Sequence, residues 1–364
     1  MAEAFATDIA KSLLGKLGSF ATIDHGHVLS EETEINPFFQ NFSDLIGRDE
    51  DKERIINLLV EPFKVDDAHP SVVPIVGMGD ELEMPRCKAD FEKCLTEFKH
   101  LRSLELMDDC ELLPERIGAL KHLRYLNLGR NSKLKRLPNS IFKLQNLQAL
   151  FLGQGLEELP KDVRYMISLR SLFLITKQQR LPEGGIGCLE CLQSLLIGRC
   201  GNLEYLCEDM QGLKSLRNLT IISCKSLISL PRSMKYLAAL EFLCIVDCEK
   251  LDLTTMEEEY EEEIKPLPLQ TVILAELPGT LALPKQILQG SADFLQKLMI
   301  SECPNIRELP ECVGNLNKLQ MLMIQNCPRL RERCQKGTGE DWPKIAHIPK
   351  IDVHQIDINE ETSD

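Results

Sequence analysis

One short pattern, Leu-x-x-Leu-x-(Leu/Ile), returns along most of the chain and leaves few architectures open. Its first leucine falls at Leu101, Leu123, Leu147, Leu169, Leu192, Leu216, Leu240, Leu269, Leu295 and Leu319. In the copy starting at Leu123, Leu126 and Leu128 follow, then Leu134, Leu137-Pro138 and Ile141. Other copies place a cysteine after the alternating stretch, as in Leu192, Leu195, Ile197, Cys200, Leu203 and Leu206. A self-similar step of roughly 20–29 residues means that each copy is one supersecondary unit stacked on the next.

Side chains alternate across a strand, so Leu126 and Leu128 point inward while Asn127 between them points out. Stacked copies therefore make a parallel sheet. Pro138, Pro160, Pro182, Pro231, Pro284 and Pro310 precede short segments expected to run along the opposite, convex side, in backbone that suits proline. The expected fold class is α/β, a leucine-rich-repeat solenoid with a curved parallel β-sheet on its concave face and a short helical, poorly packed N-terminal region. No copy can bury its leucines alone, so stability must come from neighbours and from caps at both ends. Phe91, Leu95 and Phe98 are spaced for one helical face and could cover the first repeat, whereas Trp342, Ile345 and Ile348 could cover the last.

The same register places Glu105, Asn127, Phe151, Phe173, Leu196, Thr220, Cys244, Ile273, Met299 and Met323 in the central outward column. Much of it is apolar, and extended exposed apolar patches mark interaction sites, with aromatic and methionine side chains favoured. Asn127, Phe151, Phe173, Leu196, Thr220, Ile273, Met299 and Met323 are the candidate partner-binding residues, with Phe151, Phe173 and Leu196 as anchors. Two alternatives stay open. The column could correspond to a surface that packs, in relatives, against the protein's own domains that are missing here, or be partly shielded by polar columns such as Arg124, Arg170, Arg199 and Arg217.

A formal net charge of −14 argues against nonspecific nucleic-acid binding, which depends on Lys and Arg neutralising phosphates. The acidic run Glu257-Glu258-Glu259-Tyr260-Glu261-Glu262-Glu263 falls where the step between copies lengthens and reads as a solvated insertion; a patch for a basic partner is the less favoured reading. Cys110, Cys200, Cys224, Cys248, Cys303 and Cys327 sit where the repeat takes Asn or Cys, and so read as buried structural thiols in a reducing compartment. Cys188-Leu-Glu-Cys191 lacks the second pair or histidines of a zinc site, so no metal is expected. No catalytic triad, paired carboxylates or metal cluster points to an enzyme. The start lacks a signal-like apolar core, and no stretch approaches the roughly 20 apolar residues of a membrane span, so a cytoplasmic protein without a transmembrane segment is expected.

Ahead of the repeats the chain reads as fragments. Phe5, Ile9, Leu13, Leu14 and Leu17 fit an amphipathic helix, too short to be stable alone, which packs loosely on the chain or makes weak membrane or partner-helix contact. Val72-Val-Pro-Ile75-Val76-Gly77-Met78-Gly79 resembles a strand entering a phosphate-binding turn. After Gly77, Met78 and Gly79 come Asp80, Glu81, Leu82 and Glu83, without the Gly-Lys-Ser/Thr that reaches phosphate and magnesium, so this degenerate loop is expected to bind no nucleotide.

Taken together, Met1-Ala-Glu-Ala-Phe5 with Asp8–Phe20, Leu45-Ile-Gly-Arg-Asp-Glu-Asp-Lys-Glu-Arg54, and Cys327-Pro-Arg-Leu330 with Gly339-Glu-Asp-Trp-Pro-Lys-Ile-Ala-His-Ile-Pro349 resemble plant coiled-coil, NB-ARC, leucine-rich-repeat disease resistance proteins of the resistance gene analog type. The resemblance divides the chain into a coiled-coil remnant (1–20), a linker (21–43), a remnant of the start of the NB-ARC module (44–80), an N-terminal cap helix (85–100), the repeat domain with its C-terminal cap (101–349) and an acidic tail (350–364). It implies a protein partner: a pathogen effector, a host protein guarded by the receptor, or a full-length receptor. Full-length relatives use ADP and ATP. Most of the coiled coil and nearly all of the NB-ARC module have no counterpart here, so no cofactor and no working nucleotide switch are expected. The break near Asp80 fits a deletion, an alternative transcript or a gene-model join. A general intracellular leucine-rich-repeat scaffold, or a non-functional truncated product, is the alternative to a role in defence.

Overall fold

A computed structural model describes residue 95 and residues 101–106, 110–256 and 265–354. The expected N-terminal helix, the linker, the loop at Gly77, Met78 and Gly79, the acidic run at 257–263 and the chain from 355 onward lie outside the described residues. Of the expected cap helix at 85–100, only Leu95 is described; it is helical and buried.

The strands are β1 (Ser103–Glu105), β2 (Tyr125–Leu128), β3 (Ala149–Leu152), β4 (Ser171–Leu174), β5 (Ser194–Gly198), β6 (Asn218–Ile222), β7 (Phe242–Val246), β8 (Thr271–Ala275), β9 (Lys297–Ser301), β10 (Met321–Gln325) and β11 (Lys350–His354). They form one sheet of eleven strands in sequence order, every described pair parallel. The period-two alternation sets the register. Leu104, Leu126, Leu150, Leu172, Leu195, Leu219, Leu243, Val272, Leu298, Leu322 and Ile351 stand side by side and enter one continuous apolar core. Each strand therefore buries the next, as nearest-neighbour stacking requires.

The convex side is built from single 3-10 turns, because each repeat leaves too few residues there for a longer helix. Those at Glu115–Ala119, Asn139–Lys143, Lys161–Tyr165, Arg232–Tyr236 and Glu311–Asn315 each start after a proline, held extended with φ between −69 and −62. The proline carbonyl accepts the first N–H of the turn, as between Ile141 and Pro138 at 3.0 Å. Pro284 precedes a short α-helix, α1 (Lys285–Gly290), in the same way. Pro182 differs from expectation: Glu183, Gly184 and Gly185 separate it from the turn at Ile186–Cys188, and Gly184 takes φ +66. Stacked turns approach so closely that a Cβ on Gly212 would overlap the Gly187 carbonyl, so glycine is the residue that fits there.

The sheet also runs past the boundary expected at 349. Residues 350–354, read from sequence as the start of an acidic tail, are strand β11, because Ile351 and Val353 alternate inward onto the last repeat while Lys350, Asp352 and His354 face the other way. Between β10 and β11 lie α2 (Pro328–Arg333) and α3 (Trp342–Ile345). Ile345 and Ile348 are fully or almost fully buried in the main core, and Trp342 packs against it half-buried.

Candidate partner-binding face

The outward central column lies in one row. Glu105, Asn127, Phe151, Phe173, Leu196, Thr220, Cys244, Ile273, Met299 and Met323 pair strand by strand, and Asp352 of β11 extends the row. Adjacent strands lie about 4.8 Å apart, so neighbouring side chains cover one another. The expectation of a broadly exposed column is corrected accordingly. Phe151 and Phe173 retain only 5% and 4% of their exposure, and of the eight candidate residues only Met299 is more than marginally accessible.

These side chains form two apolar patches separate from the main core. The first joins Ala149, Phe151, Phe173, Ile175, Leu196 and Ile222, with Tyr125 at its margin. Its rings form a staircase, Tyr125 to Phe151 at 5.4 Å between centroids and Phe151 to Phe173 at 6.1 Å, both tilted. The second joins Cys244, Val246, Ile273 and Ala275, with Phe242 and Met299 beside them. Between the patches stands a polar break at β5–β6, where Thr220 lies beside Asn218, whose amide donates to the Ser194 hydroxyl at 3.2 Å.

The N-terminal end of the row is polar and committed. The Asn127 amide donates to Glu105 at 3.0 Å, and its oxygen accepts the Gly129 N–H at 2.8 Å. Burial pushes the Glu105 carboxyl above its ordinary range, opposed by the charge of Arg130 and the Asn127 hydrogen bond. Burial likewise raises the Cys244 thiol to about 12, so this sulfur remains a neutral apolar contact at neutral pH. Arg124, Arg170 and Arg217 precede their strands and line one border of the face with exposed side chains. Arg199 stands on the other border, also exposed.

That second border changes character along the chain. From β5 onward the residue after each strand takes left-handed backbone: Arg199, Ser223, Asp247, Glu276, Glu302 and Asn326 have φ between 50 and 56. Each donates its N–H to the next strand, as Arg199 does to Ile222 at 2.8 Å, which compensates a conformation that L-residues avoid. The cysteines follow directly. Cys200, Cys224, Cys248, Cys303 and Cys327 are buried free thiols; Cys200 donates to the Gly198 carbonyl at 3.4 Å and Cys327 to the Gln325 carbonyl at 3.1 Å. After β2, Asn131 occupies the equivalent turn, donating to the Cys110 carbonyl at 3.1 Å and accepting the Leu134 N–H at 2.7 Å. Cys188 and Cys191 are free and exposed. Among the described residues no group of three or more His, Cys, Asp or Glu is placed to hold a metal, and no helix is long and apolar enough to cross a membrane.

Sequence register alone identified the row. It missed the division into two patches, because Thr220 looks like one more outward residue until Asn218 and Ser194 are seen beside it. It also missed the left-handed border, since none of the six residues there is glycine.

The sequence matches the leucine-rich repeat region family over residues 82–291. No curated protein matches it. Similar solved structures include a plant peptide hormone receptor, RGFR1 in complex with RGF2, at 24% identity over 64% of this chain and 43% of that one, with a TM-score of 0.44. The leucine-rich repeat domain of the type III effector XopL is 21% identical over 71% of each chain, with a TM-score of 0.40. The Toll–Spatzle complex of Drosophila is 18% identical over 74% of this chain and 38% of that one, with a TM-score of 0.48. The chain thus spans less than half of the hormone receptor chain that it resembles.

Proposed function

Because the chain belongs to the leucine-rich repeat family, we propose that it works by binding a protein partner on its concave face, with no catalytic step of its own. The observation that carries this reading is the pair of apolar patches, Phe151–Phe173–Leu196 and Cys244–Ile273–Met299, on the face of the sheet turned away from the main core. Although these side chains largely cover one another, their outer edges and the half-buried Met299 lie on the open face of the sheet, where aromatic and methionine side chains favour contact with a partner.

The finer reading is a truncated plant disease resistance protein of the coiled-coil, NB-ARC, leucine-rich-repeat type. It would act in the cytoplasm in defence, by recognising a pathogen or host protein or by modulating a full-length receptor. Support comes from the segments at 1–20, 45–54 and 327–349 that resemble that family. Without the residues that complete the loop after Gly79, the protein would act through binding and not through a nucleotide switch.

Phe173→Glu tests the binding face. A carboxylate introduced among Phe151, Ile175 and Leu196 should abolish partner capture. Because Phe173 is packed, Thr220→Lys serves as a second variant: it sets bulk and charge between the patches without emptying either. Both should lose the partner while keeping the circular dichroism of the parent. Unchanged capture by two folded variants would exclude the concave face.

A further inference from the structure

Beside the first apolar patch, where β4 and β5 end, lies a cavity of about 460 Å³. Its apolar side is Ile175, which belongs to the same cluster as Phe173 and Leu196. Its opposite side is open at Gly201, where an added Cβ would meet nothing within 4 Å. Lys177 and Arg199 stand on its rim with exposed side chains, and neither has a carboxylate partner among the described residues. In a chain of net charge −14, a rim bearing two uncompensated cations is a local reversal of sign.

The surrounding backbone fixes these groups. The Arg199 N–H is held by the Ile222 carbonyl at 2.8 Å and the Lys177 N–H by the Leu156 carbonyl at 3.0 Å. Asn202 donates to the Lys177 carbonyl at 3.1 Å, and the Thr176 N–H goes to the Cys200 sulfur at 3.3 Å. With the Thr176, Lys177 and Arg199 amides thus occupied, the charge offered to a ligand comes from the two side-chain cations, beside the polar side chains of Ser132, Gln154 and Asn202. Such cations make charge-assisted hydrogen bonds to a carboxylate, the anion that a peptide segment lying on the concave row carries in Asp or Glu. Further along the same border Asp247, Glu276 and Glu302 bring negative charge, so the Arg199 end of the border is the end that favours a carboxylate.

We propose that this cavity is a subsite for an Asp or Glu side chain of a bound peptide segment whose neighbouring apolar side chain rests on Phe173 and Leu196. The proposal rests on the concave-face reading above and adds to it a partner chemistry and a direction: the acidic end of the segment lies toward β4, away from Asp247.

The test is a random peptide library displayed on phage and selected on three proteins: the parent, the double variant Lys177→Ala/Arg199→Asn, and Phe173→Glu. Asparagine tolerates left-handed backbone, so the double variant keeps the turn at position 199. Peptides selected on the parent should carry Asp or Glu within a few residues of Phe, Leu or Met. On the double variant the acid enrichment should fall to library background while the apolar preference persists, and an individual parent-selected peptide should bind about tenfold more weakly or worse. Equal acid enrichment on the parent and the double variant, or apolar peptides with no acid, would overturn the subsite while leaving the binding face intact. No enrichment on the parent, or peptides indifferent to Phe173→Glu, would remove the face and the subsite together.

Discussion

Asp341→Ala should loosen the C-terminal end of the solenoid before the rest unfolds. The Asp341 carboxylate has no solvent exposure and accepts from Arg333 Nε at 2.9 Å and Arg333 Nη2 at 3.1 Å, from Lys344 Nζ at 2.9 Å, and from the Leu309 N–H at 2.9 Å. Lys344 also donates to the Leu309 carbonyl at 2.7 Å, and Arg333 pairs in addition with Glu340. One carboxylate thus ties the last repeat to α2 and α3. Removing it leaves the Leu309 amide without its acceptor and leaves Arg333 and Lys344 with only their solvent-exposed carboxylate partners, Glu308, Glu340 and Glu311. The expected cost is about 2–3 kcal/mol, just below the range for a fully buried pair because Arg333 is still partly exposed. Trp342, the only tryptophan, is the next residue, so its fluorescence reports the cap directly. In urea, the variant's fluorescence transition should move to lower denaturant than its far-ultraviolet circular dichroism transition; coincident and unshifted transitions would show that the network carries no stability.

The same group predicts a pH effect. Burial alone would raise the Asp341 pKa, but hydrogen bonds from Arg333, Leu309 and Lys344 hold it below its ordinary value of 3.8. A carboxylate whose folded pKa is depressed contributes its full stabilisation above the unfolded value and loses it as pH falls through the folded value. The cap should therefore be insensitive to pH through the neutral range and loosen below about pH 4, where unfolded aspartate titrates. Asp341→Ala should remove that part of the acid sensitivity.

Leu195→Ala is the second large effect. Leu195 is 1% exposed and lies between Leu172 and Leu219 in the inward row. Truncation leaves a cavity in a core whose repeats cannot move apart independently, and should cost about 2–5 kcal/mol. Gln193→Ala, two positions earlier and half-buried, should change stability little because its structural contribution is the backbone carbonyl that accepts from Arg217 and Asn218. Equal melting temperatures for the two variants would contradict the register. Because each repeat contacts mainly its neighbours, hydrogen-exchange protection should fall in β4, β5 and β6 and be retained in β9 and β10.

Much of this architecture can be read from residues whose chemistry repeats. The leucines at positions one, four and six of each copy force a strand that buries alternate side chains, and their spacing places Asn127 next to Phe151 and Phe151 next to Phe173. The buried thiols were legible for the same reason, since only a small side chain suits a turn closed by carbonyls. Features set by contacts between distant positions were not legible. Asp341 looks like an ordinary acid beside a tryptophan until the fold brings Arg333, Leu309 and Lys344 around it. Strand β11 was hidden because Lys350, Asp352 and His354 make its outward face polar, leaving only Ile351 and Val353 to signal pairing. The shielding of Phe173 was hidden as well, because sequence register tells which way a side chain points and not how closely its neighbours cover it.

A partner seated on the concave row lies within reach of a photocrosslinker placed there, so the photoreactive residue p-benzoylphenylalanine is introduced at Met299, half-buried in that row, or at Ile167, 61% exposed elsewhere on the surface, and each protein is illuminated with its captured partner. A covalent adduct is expected from position 299 and none from position 167. An adduct from position 167 alone would contradict a partner on the concave row.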